Sequence, residues 1–185
     1  MKIAYIIFDG ITWMDLIGIY EPVSKLKSMA FLPDLSWDFC SFTPAASDYG
    51  GLKVLPTQVK NDLSAYDVLF VPGGKGTREL MLDSQFIQWL QTASDVKLKT
   101  SVCTGSLLLG AAGFLKNKKA TTHFDEYDAL KPLCSEVLTE RIVADGDCIT
   151  AGAVTSSIDL GLYLCREWAG DEVAVMIRYK MDYRG

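Results

Sequence analysis

An α/β sandwich with a mostly parallel sheet is the fold class that this sequence of 185 residues predicts, and three observations point to it. Short β-branched runs alternate along the chain with longer stretches of helical periodicity. The runs at 2–8 and 67–71 are apolar almost throughout, as strands buried on both faces are. Several runs pass directly into turns of small residues that open helices.

The elements follow in order. Residues 2–8 read as a strand. Residues 13–29 read as a helix, with Trp13, Leu16, Ile17, Tyr20, Val23, Leu26 and Lys27 near a 3.6 period, and Pro22 is expected to kink or split it. Residues 35–42 form a second strand. Gly50-Gly51 followed by Leu52, Val54 and Pro56 suggests a small hairpin or excursion over 49–57. The strand 67–71 is closed by Pro72-Gly73-Gly74. A helix over 84–93 has Ser84 as its expected cap. Residues 100–102 make a short strand leading to Cys103, and 104–112 a helix ended by Gly113. Residues 120–122 read as a strand and 125–130 as a short helix stopped before Pro132. Asp145-Gly146-Asp147 marks a hairpin between 137–144 and 148–151. Helices over 154–168 and 171–183, separated by Gly170, close a single domain spanning 1–185.

Composition narrows the function. With 49% hydrophobic and 22% charged residues the chain can build a core, which excludes a disordered protein. Eighteen basic against twenty-three acidic residues give a net charge of −5. The densest basic runs, Lys97 with Lys99 and Lys116 with Lys118 and Lys119, look like solvated loops, so no nucleic-acid partner is expected. No apolar run approaches the ~20 residues that span a bilayer, and the N-terminus does not resemble a signal peptide, so no membrane partner is expected either. The five cysteines (Cys40, Cys103, Cys134, Cys148, Cys165) are odd in number and lack a C-x-x-C pair, and His123 is the single histidine. These features predict reduced thiols in a cytoplasmic protein with no metal site.

In sheets of this class, ligands bind outside the carboxyl ends of the strands. Three segments reach that edge: 9–15, Gly73-Gly74 and Cys103-Thr104-Gly105. A thiol at a strand-to-helix turn resembles a nucleophile elbow with sulfur in place of oxygen. The turn would expose Cys103, and the helix N-terminus behind it would favour the thiolate. The alternative is a small buried residue packing a strand end. Gly73-Gly74 could point an N–H at a developing anion beside the Thr104 N–H, or could be a plain loop. Asp15 allows two readings: with Thr12 it can form a capping box, or it can project towards the sulfur and deliver a proton. His123 could complete a Cys–His dyad or cap the helix after it.

Taken together, these pieces resemble one family. Phe8-Asp9-Gly10 leading to Asp15-Leu16 and Tyr20-Glu21-Pro22 is similar to the opening of the ThiJ/PfpI superfamily. Val71-Pro72-Gly73-Gly74 resembles its glycine turn, and Val102-Cys103-Thr104-Gly105-Ser106 with Gly110 to Leu115 its cysteine elbow. Ala120-Thr121-Thr122-His123 and Ile149 to Thr155 complete the order, over about residues 2–175. Within the superfamily the likeness is greatest to isonitrile hydratase-like members and to the N-terminal sensor domains of AraC-type regulators. No DNA-binding helical extension follows Gly185, so a complete regulator is not expected.

The resemblance implies a flavodoxin-like, class I glutamine amidotransferase-like three-layer sandwich, a homodimer with its site near the subunit boundary, and a small-molecule substrate. The implied reaction is hydration of an isonitrile to an N-substituted formamide, without a metal or organic cofactor. Cys103 would be the nucleophile, Asp15 the proton donor, and Thr104 and Gly74 the groups that orient the adduct or water. Trp13, Ile11 and Phe124 are candidates for the pocket lining. The alternatives are a redox-sensing or ligand-sensing protein and a glyoxalase-like enzyme acting on reactive aldehydes. Threonine at position 104 leaves no histidine directly after the cysteine, the arrangement that the protease-like and glyoxalase-like members favour.

Overall fold

The computed structural model describes residues 1–184. Eleven strands and seven helices run in the order β1 Lys2–Ile6, α1 Trp13–Ser28, β2 Ser36–Ser41, β3 Ala46–Ser47, β4 Lys53–Val54, β5 Gln58–Val59 and β6 Val68–Val71, then α2 Thr77–Leu80, α3 Ser84–Gln91, β7 Leu98–Val102 and α4 Gly105–Ala111. They continue as β8 Lys119–Ala120, α5 Tyr127–Leu130, β9 Glu136–Val137, β10 Ile142–Asp145, β11 Cys148–Ala151, α6 Ser156–Ala169 and α7 Asp171–Lys180.

Seven strands make one sheet in the order β10-β11-β7-β6-β1-β2-β5. Every pairing in it is parallel except that of β10 with β11. Helices flank this sheet, as the alternation of the sequence predicts. The central strands are sealed on both faces: Ala4, Ile6, Leu69, Phe70, Val71 and Val102 have no exposed surface. The chain passes from β1 to β2 on one side and returns to β6 on the other, so the order reverses at β1, and the crevice outside the ends of β1, β6 and β7 is the place for a ligand.

Helix α1 packs on α6 at unusually close range. A Cβ at Gly18 would fall 1.9 Å from Ser157 Oγ, and one at Gly161 would fall 2.4 Å from Pro22 Cγ. Pro22 neither splits nor ends α1; it lies inside the helix and seats against Gly161. This packing positions the first turn of α1, which carries Asp15.

Several local expectations change. Asp83, not Ser84, caps α3, because its carboxylate accepts from the N–H groups of Gln85 and Phe86. The hairpin expected over 49–57 exists, but its paired residues are Ala46–Ser47 and Lys53–Val54. The strand expected at 120–122 is confined to β8, which pairs with β9 outside the main sheet. The run at 137–144 is broken in two, because β9 pairs with β8 and β10 with β11. Ile17, expected on the buried face of α1, is 48% exposed.

Candidate active site

Two strand ends and the first turn of α1 build the site. At the end of β7, Cys103 takes φ 54°, a left-handed conformation that residues with a Cβ adopt only when the surroundings hold them there. Its N–H donates to the carbonyls of Ala151 and Gly152 at 3.0 and 2.8 Å, tying the turn to the end of β11. Its carbonyl accepts from Ser106 Oγ at 3.2 Å and Thr122 Oγ1 at 3.0 Å. The elbow geometry is therefore present and fixed at both backbone polar groups.

At the end of β6, Gly73 lies where the site converges. A Cβ there would lie 2.7 Å from Thr104 N, 2.8 Å from Asp15 Oδ2 and 2.8 Å from Cys103 Cβ. Only glycine leaves room for these three groups to meet. Gly73→Ala is expected to lose about 1–3 kcal/mol in urea unfolding through overpacking, and to displace Asp15 from the elbow. Gly74 follows at φ 140°, where a Cβ would strike the Gly10 carbonyl at 2.2 Å.

From α1 comes Asp15. Thr12 makes no side-chain cap, so the capping box does not form; the carboxyl turns inward instead. Asp15 has no exposed surface. Its Oδ2 accepts from the Gly73 N–H at 2.9 Å, while Oδ1 is buried with no hydrogen-bond partner. Burial raises its pKa from 3.8 to about 7, against the opposing pull of the Gly73 N–H and the Cys103 thiol.

The thiol is affected in the same direction. Cys103 is 5% exposed rather than presented to solvent. Burial, followed by the charge of Asp15, pushes its pKa up to about 12, although the Thr104 N–H and hydroxyl pull the other way. Burial beside a carboxyl group thus works against the thiolate that a helix N-terminus favours. Burial therefore favours the protonated form of both groups, and Asp15 lies on the acidic side of the thiol.

The glycine N–H groups are also corrected. Gly73 N–H is occupied by Asp15 and Gly74 N–H by Thr104 Oγ1 at 3.0 Å, so neither is free to receive an anion. His123 serves as a cap: its Nδ1 accepts from the Asp125 N–H at 3.2 Å and its ring lies against Phe124. The candidate lining residues divide between two clefts. Ile11 and Trp13 line one of about 370 Å³ with Tyr49 and Lys75, and Phe124 lines another of about 230 Å³ with Thr122, Tyr127 and Gly152. Trp13 is held there by its Nε1, which donates to the Leu52 carbonyl at 3.1 Å. Thr122 and Gly152 of the second cleft bind the Cys103 backbone directly, so this cleft adjoins the elbow. Among the described residues no cluster of His, Cys, Asp or Glu could hold a metal, and no helix is long and apolar enough to cross a membrane.

Sequence reasoning missed Arg78, which donates through Nη1 to the Gly74 carbonyl at 3.0 Å and pairs with Glu126. A basic residue four places after the glycine pair was the only available sign.

Known proteins share this arrangement of elements. The chain is 35% identical over 184 residues to the isonitrile hydratase of Pseudomonas putida, covering 99% of this chain and 78% of that protein. It is 30% identical over 179 residues to the HTH-type transcriptional regulator CdhR of Pseudomonas aeruginosa, covering 94% of this chain and 52% of the regulator. A ThiJ/PfpI family protein from Pseudomonas syringae matches with a TM-score of 0.91 at 30% identity, over 100% of this chain and 75% of its own. Drosophila melanogaster DJ-1beta matches in fold, with a TM-score of 0.83 at 18% identity, over 100% of this chain and 98% of its own. These neighbours bear out the flavodoxin-like sandwich and the resemblance noted in the sequence. The DJ-1/PfpI sequence pattern matches residues 1–167, and the chain belongs to the DJ-1/PfpI family.

Proposed function

We propose that this protein adds water to an isonitrile and releases an N-substituted formamide, with Cys103 as nucleophile and Asp15 as proton donor. The observation that carries the reading is the buried carboxyl of Asp15, raised to about 7, beside the Cys103 thiol. An isonitrile is neutral and has no carbonyl oxygen. Addition to its terminal carbon therefore needs a proton donor more than an oxyanion hole, and both glycine N–H groups at this elbow are occupied. The terminal N≡C unit is also linear and slender, which suits a thiol that is 5% exposed. The isonitrile hydratase relative supports the same reading.

The steps balance. Asp15 gives its proton to the isonitrile carbon and takes the thiol proton, while the sulfur bonds to that carbon, forming a thioimidate on Cys103. Water then adds to the thioimidate carbon and the nitrogen gains a proton. The carbon–sulfur bond breaks, the sulfur is reprotonated, and the formamide leaves. Thr104 steadies the sulfur through its N–H. The protein acts as a homodimer on its small-molecule substrate, in the cytoplasm, with no cofactor. Trp13 flanks the approach from one cleft, and His123 supports the other by packing its ring against Phe124.

A redox-sensing role is less favoured by the same geometry, because oxidation of a cysteine follows thiolate character and exposure, and Cys103 is low in both. One preparation separates the readings. Incubated with an alkyl isonitrile, it is expected to generate the formyl proton signal of a formamide by NMR, and to leave a 2-oxoaldehyde unconsumed. Aldehyde turnover without formamide, or oxidation of Cys103 by peroxide with neither activity, would contradict the proposal.

A further inference from the structure

We propose that the outer face of α7 is an interface between two copies of this chain, packed antiparallel about a two-fold axis at Met176. The proposal is independent of the reaction assigned to Cys103.

Helix α7 buries one side only. Ala174 and Ile177 turn inward, where the helix packs on α6. The opposite side carries Val175, Met176 and Tyr179, which are 66%, 45% and 83% exposed. With the exposed Glu172 they occupy positions i, i+3, i+4 and i+7, which form a single stripe along a helix. Large apolar side chains grouped in this way mark contact surfaces, and Tyr and Met are residue types that such surfaces favour. The stripe borders a cleft of about 380 Å³ between α6 and α7, whose walls include Ile142, Leu162, Tyr163, Ala174 and Val175.

Charge selects a second copy as the occupant. The first turn of α7 is acidic, with Asp171 and Glu172, and its last turn is basic, with Arg178 and Lys180. A helix with this polarity is complementary to itself when laid antiparallel, and the two macrodipoles then oppose each other favourably. Glu172 and Lys180 each lie four residues from Met176. A two-fold axis at Met176 therefore sets Glu172 of each copy opposite Lys180 of the other, and the same contact is made twice. Neither residue forms an ion pair within the chain among the described residues. Tyr179 of each copy points towards Val175 of the other and the cleft beside it, as a knob meets a hole. A ten-residue helix is about 15 Å long, so the contact is at the small end of specific interfaces and the association is concentration-dependent. No residue of α7 lines the two clefts described at the elbow, so association and turnover are separable.

Sedimentation velocity on the full chain, from about 1 to 100 µM, tests the proposal. Val175→Glu is expected to halve the mass of the assembly at the upper end of this range, with an unchanged circular dichroism spectrum and urea midpoint because the position is exposed. Glu172→Lys and Lys180→Glu each place like charges at both ends of the interface, and each is expected to raise the dissociation constant at least about tenfold. The double variant restores opposite charges in swapped order and is expected to return to within about threefold of the wild type. Loss of helix structure alone would not be repaired by this swap. An assembly unchanged in Val175→Glu, a wild type of single-copy mass throughout, or no recovery in the double variant would overturn the proposal. So would a single-copy protein that co-sediments with anionic lipid vesicles, since the face would then belong to a membrane surface. Because no isonitrile is used, failure of the hydratase reading leaves this test intact.

Discussion

Replacing Cys103 with alanine is expected to lower formamide production at least ~10⁴-fold while leaving the fold in place. Loss of a covalent nucleophile removes a step that no neighbouring group can supply. The Thr104 hydroxyl is engaged with Gly74 and the Ser106 hydroxyl with the Cys103 carbonyl, which leaves the thiol as the nucleophile of the elbow. The backbone should tolerate the change. The φ of 54° is imposed by the hydrogen bonds to Ala151 and Gly152, and Ser106 and Thr122 hold the carbonyl, none of which involves sulfur. Alanine removes one buried atom, so stability should change by about 1 kcal/mol or less. Steady-state turnover and a urea melt on the same sample check both halves. Retained turnover would remove Cys103 from the mechanism.

Asp15→Asn separates catalysis from stability in opposite directions. Turnover is expected to fall about 10²–10⁴-fold, the usual contribution of a positioned general acid. Stability at pH 8 should instead rise. A carboxyl whose pKa goes from 3.8 unfolded to about 7 folded binds its proton more tightly in the native state. Its contribution is complete below pH 3.8 and is lost as pH rises through 7, costing the folded protein up to about 4 kcal/mol once ionised. Asparagine keeps an oxygen for the Gly73 N–H and carries no charge to bury. Denaturant midpoints at pH 5 and pH 8 should therefore fall with pH in the wild type and converge in the variant. An Asp15→Asn protein less stable than wild type at pH 8 would mean that the carboxylate is comfortably solvated or paired.

Much of this was legible in the residues, and the reasons are local. The strand at 67–71 and the glycines after it announce a buried parallel strand and a close backbone approach, because apolar continuity and φ freedom are properties of the residues themselves. The elbow at Cys103 follows from a short strand running into small residues. The two-residue strand at 58–59 left no such trace, and the one at 119–120 showed only as part of the run at 120–122. Gln58–Val59 is exposed and pairs only because β2 passes beside it, and Lys119–Ala120 belongs to a separate small sheet. The site was legible in its members but not in its electrostatics. Asp15 and Cys103 are both visible as candidates. That the carboxyl is stripped of water, and that it occupies the Gly73 N–H instead of leaving it for an anion, depends on a contact 58 residues apart. Arg78 was hidden for the same reason, since it acts on a backbone carbonyl whose direction only the folded turn defines.

The most direct measurement is the titration of the Asp15 carboxyl in the folded protein, followed by ¹³C NMR of aspartate-labelled samples and assigned by its absence in Asp15→Asn. One aspartate resonance is expected to titrate near pH 7, with its midpoint moving when Cys103 is replaced by alanine. An Asp15 resonance that titrates near pH 4, and does not respond to loss of the thiol, would contradict the shared-proton pair on which the chemistry depends.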